Sequence, residues 1–417
     1  MSSFILIIGL LLGVVSCNEV YFVAIITNIG ARSPKKIKPP WISHTNELTS
    51  IGMRQLYLLG RDYSQRYMKT LLNKQFLPFE VVLRAAYENW SVTTATANAF
   101  ARGLYYPGTG NNLTKIQVER AVPPYEGASF TKEQEKLGNN SLLYLHETLP
   151  IMINGGDKDY VLSATSHCKG IKTSILNYIE DNIELKDKRD KLEHRTQSEI
   201  KTILEEICKI NIKSLEDALD CRDYIIAAEH YAIDLGDKTK QVMNLLNYIH
   251  DFVNYKEFYA DIRVAKVVGN GILKDILKCS DIKDRKMNVY TVEDSNIFAL
   301  LKLIEYKGHA FAPFASSLEF IFSKAANEAF VELKYNGIKI DWEVKSVSKF
   351  KEWVDRNTYS EDDFMRICIQ GINRTSTDDS IWIAAGFIVA GLLLIAVILT
   401  AIYARRRSQM VKYYDKV

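Results

Sequence analysis

EVYFVAIITNIGARSP, residues 19–34, decides how the rest of the chain is read. Glu19 to Ile26 is a continuous run of β-branched and aromatic residues, the pattern of a strand buried on both faces. A loop rich in Gly, Ser and Pro follows, from Gly30 to Pro40. Open α/β sheets bind ligands where strands end, so this junction is the first place to look for chemistry. Working outward, Thr49 has the character of an N-cap. Met53–Leu72 carries Leu56, Leu59, Tyr63 and Tyr67 at helical spacing. Phe79–Leu83 reads as a strand and Ser91–Leu104 as a helix. The alternation predicts an α/β fold with a doubly wound, mainly parallel sheet.

From about residue 131 to 277 the pattern changes to charged amphipathic helices, such as Leu185–Ile207, which predicts a helical cap inserted into the sheet domain. Asn288–Val292 returns as a strand and Ser295–Tyr306 as a helix. Leu318–Phe322 and Ala329–Tyr335 read as a closing antiparallel pair.

Both ends of the chain are apolar. Phe4–Val15, followed by Ser16 and Cys17, has the length of a signal-peptide core, although no Lys or Arg precedes it, and residues 1–17 are read as a signal peptide. Ile381–Tyr403 holds 23 residues without a charge, about 34 Å as a helix, bordered by Trp382 and Tyr403. Arg405, Arg406 and Arg407 follow it, and Asp378 and Asp379 precede it. The expected topology is a single-pass membrane protein of type I: residues 18–372 lumenal or extracellular, 373–380 a polar stalk, 381–403 spanning, 404–417 cytosolic. The basic segment after the span argues against a GPI signal.

Four N-x-[ST] sequons, at Asn89, Asn112, Asn139 and Asn373, fall between the two apolar segments and are candidate glycosylation sites. The tail carries five cations and one anion, so about −1 of the chain's +3 falls on the ectodomain. That balance offers no basic field for nucleic acid. Six cysteines occur, with Cys17 at the signal-peptide edge. Cys168, Cys208, Cys221, Cys279 and Cys368 then give two disulfides and one leftover thiol. No C-x-x-C is present, so no metal site is expected, and no cofactor motif is visible.

Taken in order, the strand ends resemble those of the histidine acid phosphatase family, including its membrane-anchored lysosomal members. The family's R-H-G-x-R-x-P stands here as Asn28-Ile29-Gly30-Ala31-Arg32-Ser33-Pro34. Its L-T-x-x-G-x-x-Q helix start appears as Leu48 to Gln55, with Arg66-Tyr67 beyond. Its R-S-T-D is reduced to Arg84-Ala85-Ala86-Tyr87, and its A-H-D becomes Val292-Glu293-Asp294. Pro313-Phe314-Ala315-Ser316 is similar to its P-Y-A-S. The resemblance covers most of residues 20–370.

The resemblance implies a phosphohistidine mechanism: a nucleophilic histidine, three arginines and a second histidine around the phosphoryl oxygens, and an aspartate as proton donor. Imidazole is nucleophilic near neutral pH, and guanidinium forks stabilise phosphoryl charge. Carried over residue by residue, Arg32, Arg84 and Asp294 are retained, whereas Asn28, Ile29 and Glu293 replace an arginine, the nucleophile and the second histidine. No histidine lies between residues 20 and 43 or between His250 and His309, so a small shift of register restores nothing. Losing the nucleophile removes the covalent route, and losing one oxyanion donor typically costs roughly 10²–10³ in rate.

The expected function is therefore a pseudophosphatase, a binding or scaffold ectodomain with no catalytic residues and an unidentified lumenal ligand or protein partner. The alternatives are a phosphoric monoester hydrolase with residual or relocated chemistry, and a glycosylated surface or adhesion protein. Glu293 is expected to pair with Arg32 or Arg84. The resemblance also implies a Cys168–Cys368 disulfide and leaves Cys221 to pair with Cys208 or Cys279. Tyr414 and Val417 frame a tyrosine-x-x-apolar sorting signal for an adaptor, which would send the protein to lysosomes or endosomes; the plasma membrane is the default without it.

Overall fold

The computed structural model describes residues 19–37, 39–40, 44–124, 129–155, 159–308, 312–326 and 328–372. The expected signal peptide, stalk, membrane span and tail, with Asn373, Tyr414 and Val417, lie outside the described residues. Among those described, no helix is long and apolar enough to cross a membrane.

Seven strands form one sheet: β1 (Glu19–Asn28), β2 (Val81–Ala85), β3 (Ile151–Ile153), β4 (Met287–Val292), β5 (Ser317–Ala325), β6 (Glu328–Tyr335) and β7 (Ile338–Lys339). Their spatial order is β3-β2-β4-β1-β5-β6-β7. The β3–β2, β2–β4 and β4–β1 pairings are parallel, and the β1–β5, β5–β6 and β6–β7 pairings are antiparallel. The sheet is thus mixed rather than mainly parallel. The closing antiparallel pair is present, and it adds to the far side of β1 instead of extending the wound half.

β1 is the hub. Buried from Phe22 onward, it pairs on one edge with β4 and on the other with β5. One face, through Val23, Ile25, Leu83 and Val289, packs on α1 (Ser50–Tyr67) and α2 (Trp90–Leu104). Thr49 caps α1, its hydroxyl accepting from the Gly52 N–H at 3.1 Å. Leu56, Tyr63 and Tyr67 supply the buried stripe at the predicted spacing. Burying such side chains contributes about 1.5–3 kcal/mol each.

Among the described residues nine further helices of eight or more residues follow β3: α3 (Lys169–Asp181), α4 (Ile183–Arg195), α5 (Lys201–Cys208), α6 (Leu215–His230), α7 (Lys238–Asp251), α8 (Ile262–Ser280) and α9 (Asp294–Leu303) before β5, and α10 (Val347–Asn357) and α11 (Glu361–Gln370) after β7. Helices α4 to α7 have their own apolar core around Leu192, Leu204, Ile225, Leu246 and Phe252. The span 131–277 is less uniform than expected, because it contributes β3 to the sheet edge and most of α8 to the layer beneath β1. A three-residue apolar strand leaves too short a pattern to separate from a loop.

Cys168 and Cys368 are disulfide-bonded with a Cα–Cα distance of 4.2 Å, joining the start of α3 to α11. Cys208 bonds Cys221 inside the helical core, and Cys279 is a buried free thiol.

Candidate functional site

Parallel register aligns Asn28 with Val292, so Ile29 and Glu293 leave the sheet at the same carboxyl edge. Asn28 is 3 % exposed and fully engaged. Its Nδ2 donates to the Ala312 and Pro313 carbonyls at 3.0 and 3.1 Å, and its Oδ1 accepts from the Ile29 N–H at 2.9 Å. Where the resemblance puts a phosphate-binding cation, an amide staples β1 to the segment before β5. Ile29 is likewise 3 % exposed, an apolar side chain sealed into the edge.

The loop after β1 is drawn tightly against α1. A Cβ on Gly52 would stand 2.2 Å from the Ala31 carbonyl oxygen, so only glycine permits this approach. The loop then presents Arg32, whose Nη1 donates to Asp223 Oδ2 on α6 at 2.9 Å and to the Ser33 carbonyl. Its guanidinium lies 5.8 Å from the centre of the Phe314 ring. The same Asp223 oxygen accepts from the Lys35 N–H at 2.7 Å. Lys36 Nζ bonds Asp220, one turn earlier on α6, at 2.8 Å.

Glu293 does not meet either arginine. Its Oε2 accepts from Lys35 Nζ at 2.6 Å and its Oε1 from Asn89 Nδ2. Asn89, held at a φ of +53° ahead of α2, in turn accepts from Asn46 Nδ2 at 2.7 Å. The expected Glu293–arginine pairing is corrected for a simple reason: each arginine already has a carboxylate. Arg84 sits two rungs below the edge, opposite Tyr290, and its Nη1 bonds Asp275 of α8 at 2.9 Å. Tyr290 donates its hydroxyl to that same Asp275 at 2.6 Å, and burial followed by the Asp275 charge pushes the phenol well above its ordinary range.

Asp294 opens α9 with its carboxylate 3.9 Å from Nε2 of His250, a buried residue of α7. Arg222 of α6 is also near: burial lowers its pKa, and Asp223, Asp294 and Asp251 oppose that shift. Sequence reading missed Lys35, Asp223 and His250. Two lysines directly after the motif, and acids three residues apart at Asp220 and Asp223, were the available signals. Helical acids at that spacing are ordinarily a solvated face.

Beside this network is an open recess of about 460 Å³ whose lining includes Asn46, Glu88, Asn89, Trp90, Ser166 and His167. Burial first, and the Glu293 charge second, hold the Glu88 carboxyl above its usual range. A second recess, about 180 Å³, lies over β6 and β7 and shares no residue with the edge. Of the sequons, Asn112 and Asn139 are exposed and adjacent, the Leu113 N–H donating to the Asn139 carbonyl at 2.7 Å. The Asn89 side chain is turned inward to Glu293 and Asn46. Among the described residues no group of His, Cys, Asp or Glu is arranged to hold a metal ion.

A family model described as histidine phosphatase superfamily (branch 2) matches residues 21–336. No curated protein matches the chain in sequence. Among solved structures, the phytase of Klebsiella sp. ASR1 is similar with a TM-score of 0.57 at 14 % identity, covering 82 % of this chain and 97 % of that one. The phytase of Citrobacter braakii gives 0.55 at 12 %, covering 82 % and 98 %. The multiple inositol polyphosphate phosphatase of Bifidobacterium longum, in complex with inositol hexasulfate, gives 0.52 at 13 %, covering 83 % and 94 %. At these identities the likeness is one of fold.

Proposed function

The chain belongs to branch 2 of the histidine phosphatase superfamily, and from that premise we propose that it is a pseudophosphatase, a member whose carboxyl edge binds rather than hydrolyses. The observation that carries this reading is the pairing at the edge. Ile29 is buried where a nucleophile would stand, and two cations of the loop that follows it are bound to carboxylates, Arg32 to Asp223 and Lys35 to Glu293. A phosphate dianion entering there would have to displace Glu293 and meet its charge. Substrates named for the similar phosphatases and phytases are therefore not assigned to this chain. We further propose the type I topology read from the sequence, with helices α4 to α7 as a cap, Asn112 and Asn139 glycosylated, and Tyr414 and Val417 read by a sorting adaptor.

A second reading, relocated hydrolysis, is favoured by the approach of His250 to Asp294, which restores an imidazole beside the family's proton donor. One assay separates the two. The purified protein and its Ile29→Ala, Asp294→Ala and His250→Ala variants are incubated with an aryl phosphate at about pH 4 to 7. No turnover above a no-protein control is expected for any form. Turnover that survives Ile29→Ala but is abolished by Asp294→Ala or His250→Ala would establish the second reading.

A further inference from the structure

The recess at the end of β2 has a lining unlike an anion site. None of its lining residues, among those described, is a lysine or arginine. It holds instead the Glu88 carboxylate, the amide of Asn46, the Ser166 hydroxyl and the imidazole of His167. Asn46 Oδ1 and His167 Nε2 are buried with no hydrogen-bond partner, while Asn46 Nδ2 is used by Asn89. The lining thus offers a carboxylate acceptor in Glu88 and, from Tyr87, Ser91 and Ser166, hydroxyls that can donate or accept, which suits a ligand whose own groups do both. At its rim Trp90 is 58 % exposed, a large apolar face left in water at the start of α2. Its volume, about 460 Å³, falls in the range of small-molecule sites.

A flat indole beside planar amide and carboxylate groups matches a ring with one C–H face and several hydroxyls around its edge. We propose that this recess binds a neutral, polyhydroxylated ring, a saccharide unit, stacked on Trp90 with hydroxyls bonding Glu88 and the lining hydroxyls of Ser91 and Ser166. This rests on the reading of the edge as a binding site, and it names the class of ligand. Phosphate is disfavoured by Glu88 and by Glu293 behind Asn89.

Saturation-transfer NMR on the full chain, in a detergent without a sugar headgroup, tests this with methyl glycosides of glucose, galactose, mannose and N-acetylglucosamine. Inorganic phosphate and ethanolamine serve as comparisons. Transfer to the ring protons of at least one glycoside is expected. Trp90→Ala should weaken it about tenfold or more, Trp90→Phe less, and Glu88→Gln measurably. Trp90 is exposed, so an unchanged melting temperature should accompany the loss. Absence of transfer, binding that Trp90→Ala leaves intact, or binding of phosphate or ethanolamine alone would overturn the proposal. So would mass spectrometry showing a glycan on Asn89, because the chain's own sugar would then fill the recess. Failure of the glycosides leaves the pseudophosphatase reading standing, whereas hydrolysis of the aryl phosphate sinks that reading whatever the glycosides do.

Discussion

Two buried glutamates, Glu319 in the middle of β5 and Glu293 just past the end of β4, differ in what surrounds them. Glu319 is 1 % exposed and receives the Tyr67 hydroxyl at 2.6 Å and two contacts from Arg66 Nη1 at 3.1 and 2.9 Å. All its partners come from one helix, α1, packed on the strand. Glu293 is 8 % exposed, and its partners are a loop lysine and the asparagine before α2. The first carboxylate fastens helix to sheet; the second joins loops at the edge where the fold places ligands. Position along the strand, more than charge or burial, separates a structural ion pair from one that occupies a site.

Removing the mid-strand carboxylate should give the largest effect. Glu319→Ala leaves the buried Tyr67 hydroxyl without its acceptor and Arg66 held by Asp62 alone, and is expected to cost about 3 kcal/mol, read as a shift in the urea midpoint at unchanged slope. An unperturbed midpoint would erase the distinction drawn here. Asp223→Ala releases Arg32 and the Lys35 amide together and should cost about 1–2 kcal/mol, less because Asp223 is partly exposed. Glu293→Gln should cost about 1 kcal/mol or less, since the amide still bonds Asn89. Its main consequence lies elsewhere: Lys35 is freed, and calorimetry should detect inorganic phosphate binding that the unaltered protein lacks. If neither stability nor phosphate affinity moves, the edge pair has no role in closing the site.

The smallest effect is one of pH. The folded Glu88 carboxyl is held above its ordinary range, so the folded protein binds that proton more tightly than the unfolded chain does. Its stabilising contribution is present below the ordinary carboxylate range and is lost as pH rises through the raised value. The difference in melting temperature between Glu88→Gln and the unaltered protein should therefore change in the variant's favour across that window, and a flat difference would remove Glu88 from the account.

Elements were legible because periodicity is local. The run through Ile26 has no helical reading, and Leu56, Tyr63 and Tyr67 have no strand reading. The positions of Asn28, Ile29 and Glu293 followed from the resemblance to the family's motifs. Their partners did not. Asp223 lies 191 residues from Arg32, and nothing local distinguishes it from the other acids of a charged helix. Arg84 kept its family position, yet its pairing depends on Asp275 from α8, which only the assembled sheet reveals.

The Cys168–Cys368 bond has a mechanical consequence. It lies four residues before the last described residue and spans 200 positions of chain. Tension applied from beyond residue 372 would reach Cys368 and divide through sulfur to Cys168. The intervening segment, with α8, β4 to β7 and the helical core, forms a closed loop that such a pull cannot lengthen. Under load, α11 can fray only as far as its cysteine, and the sheet is spared from being unzipped at its antiparallel end. Reduction would turn that closed loop into slack line.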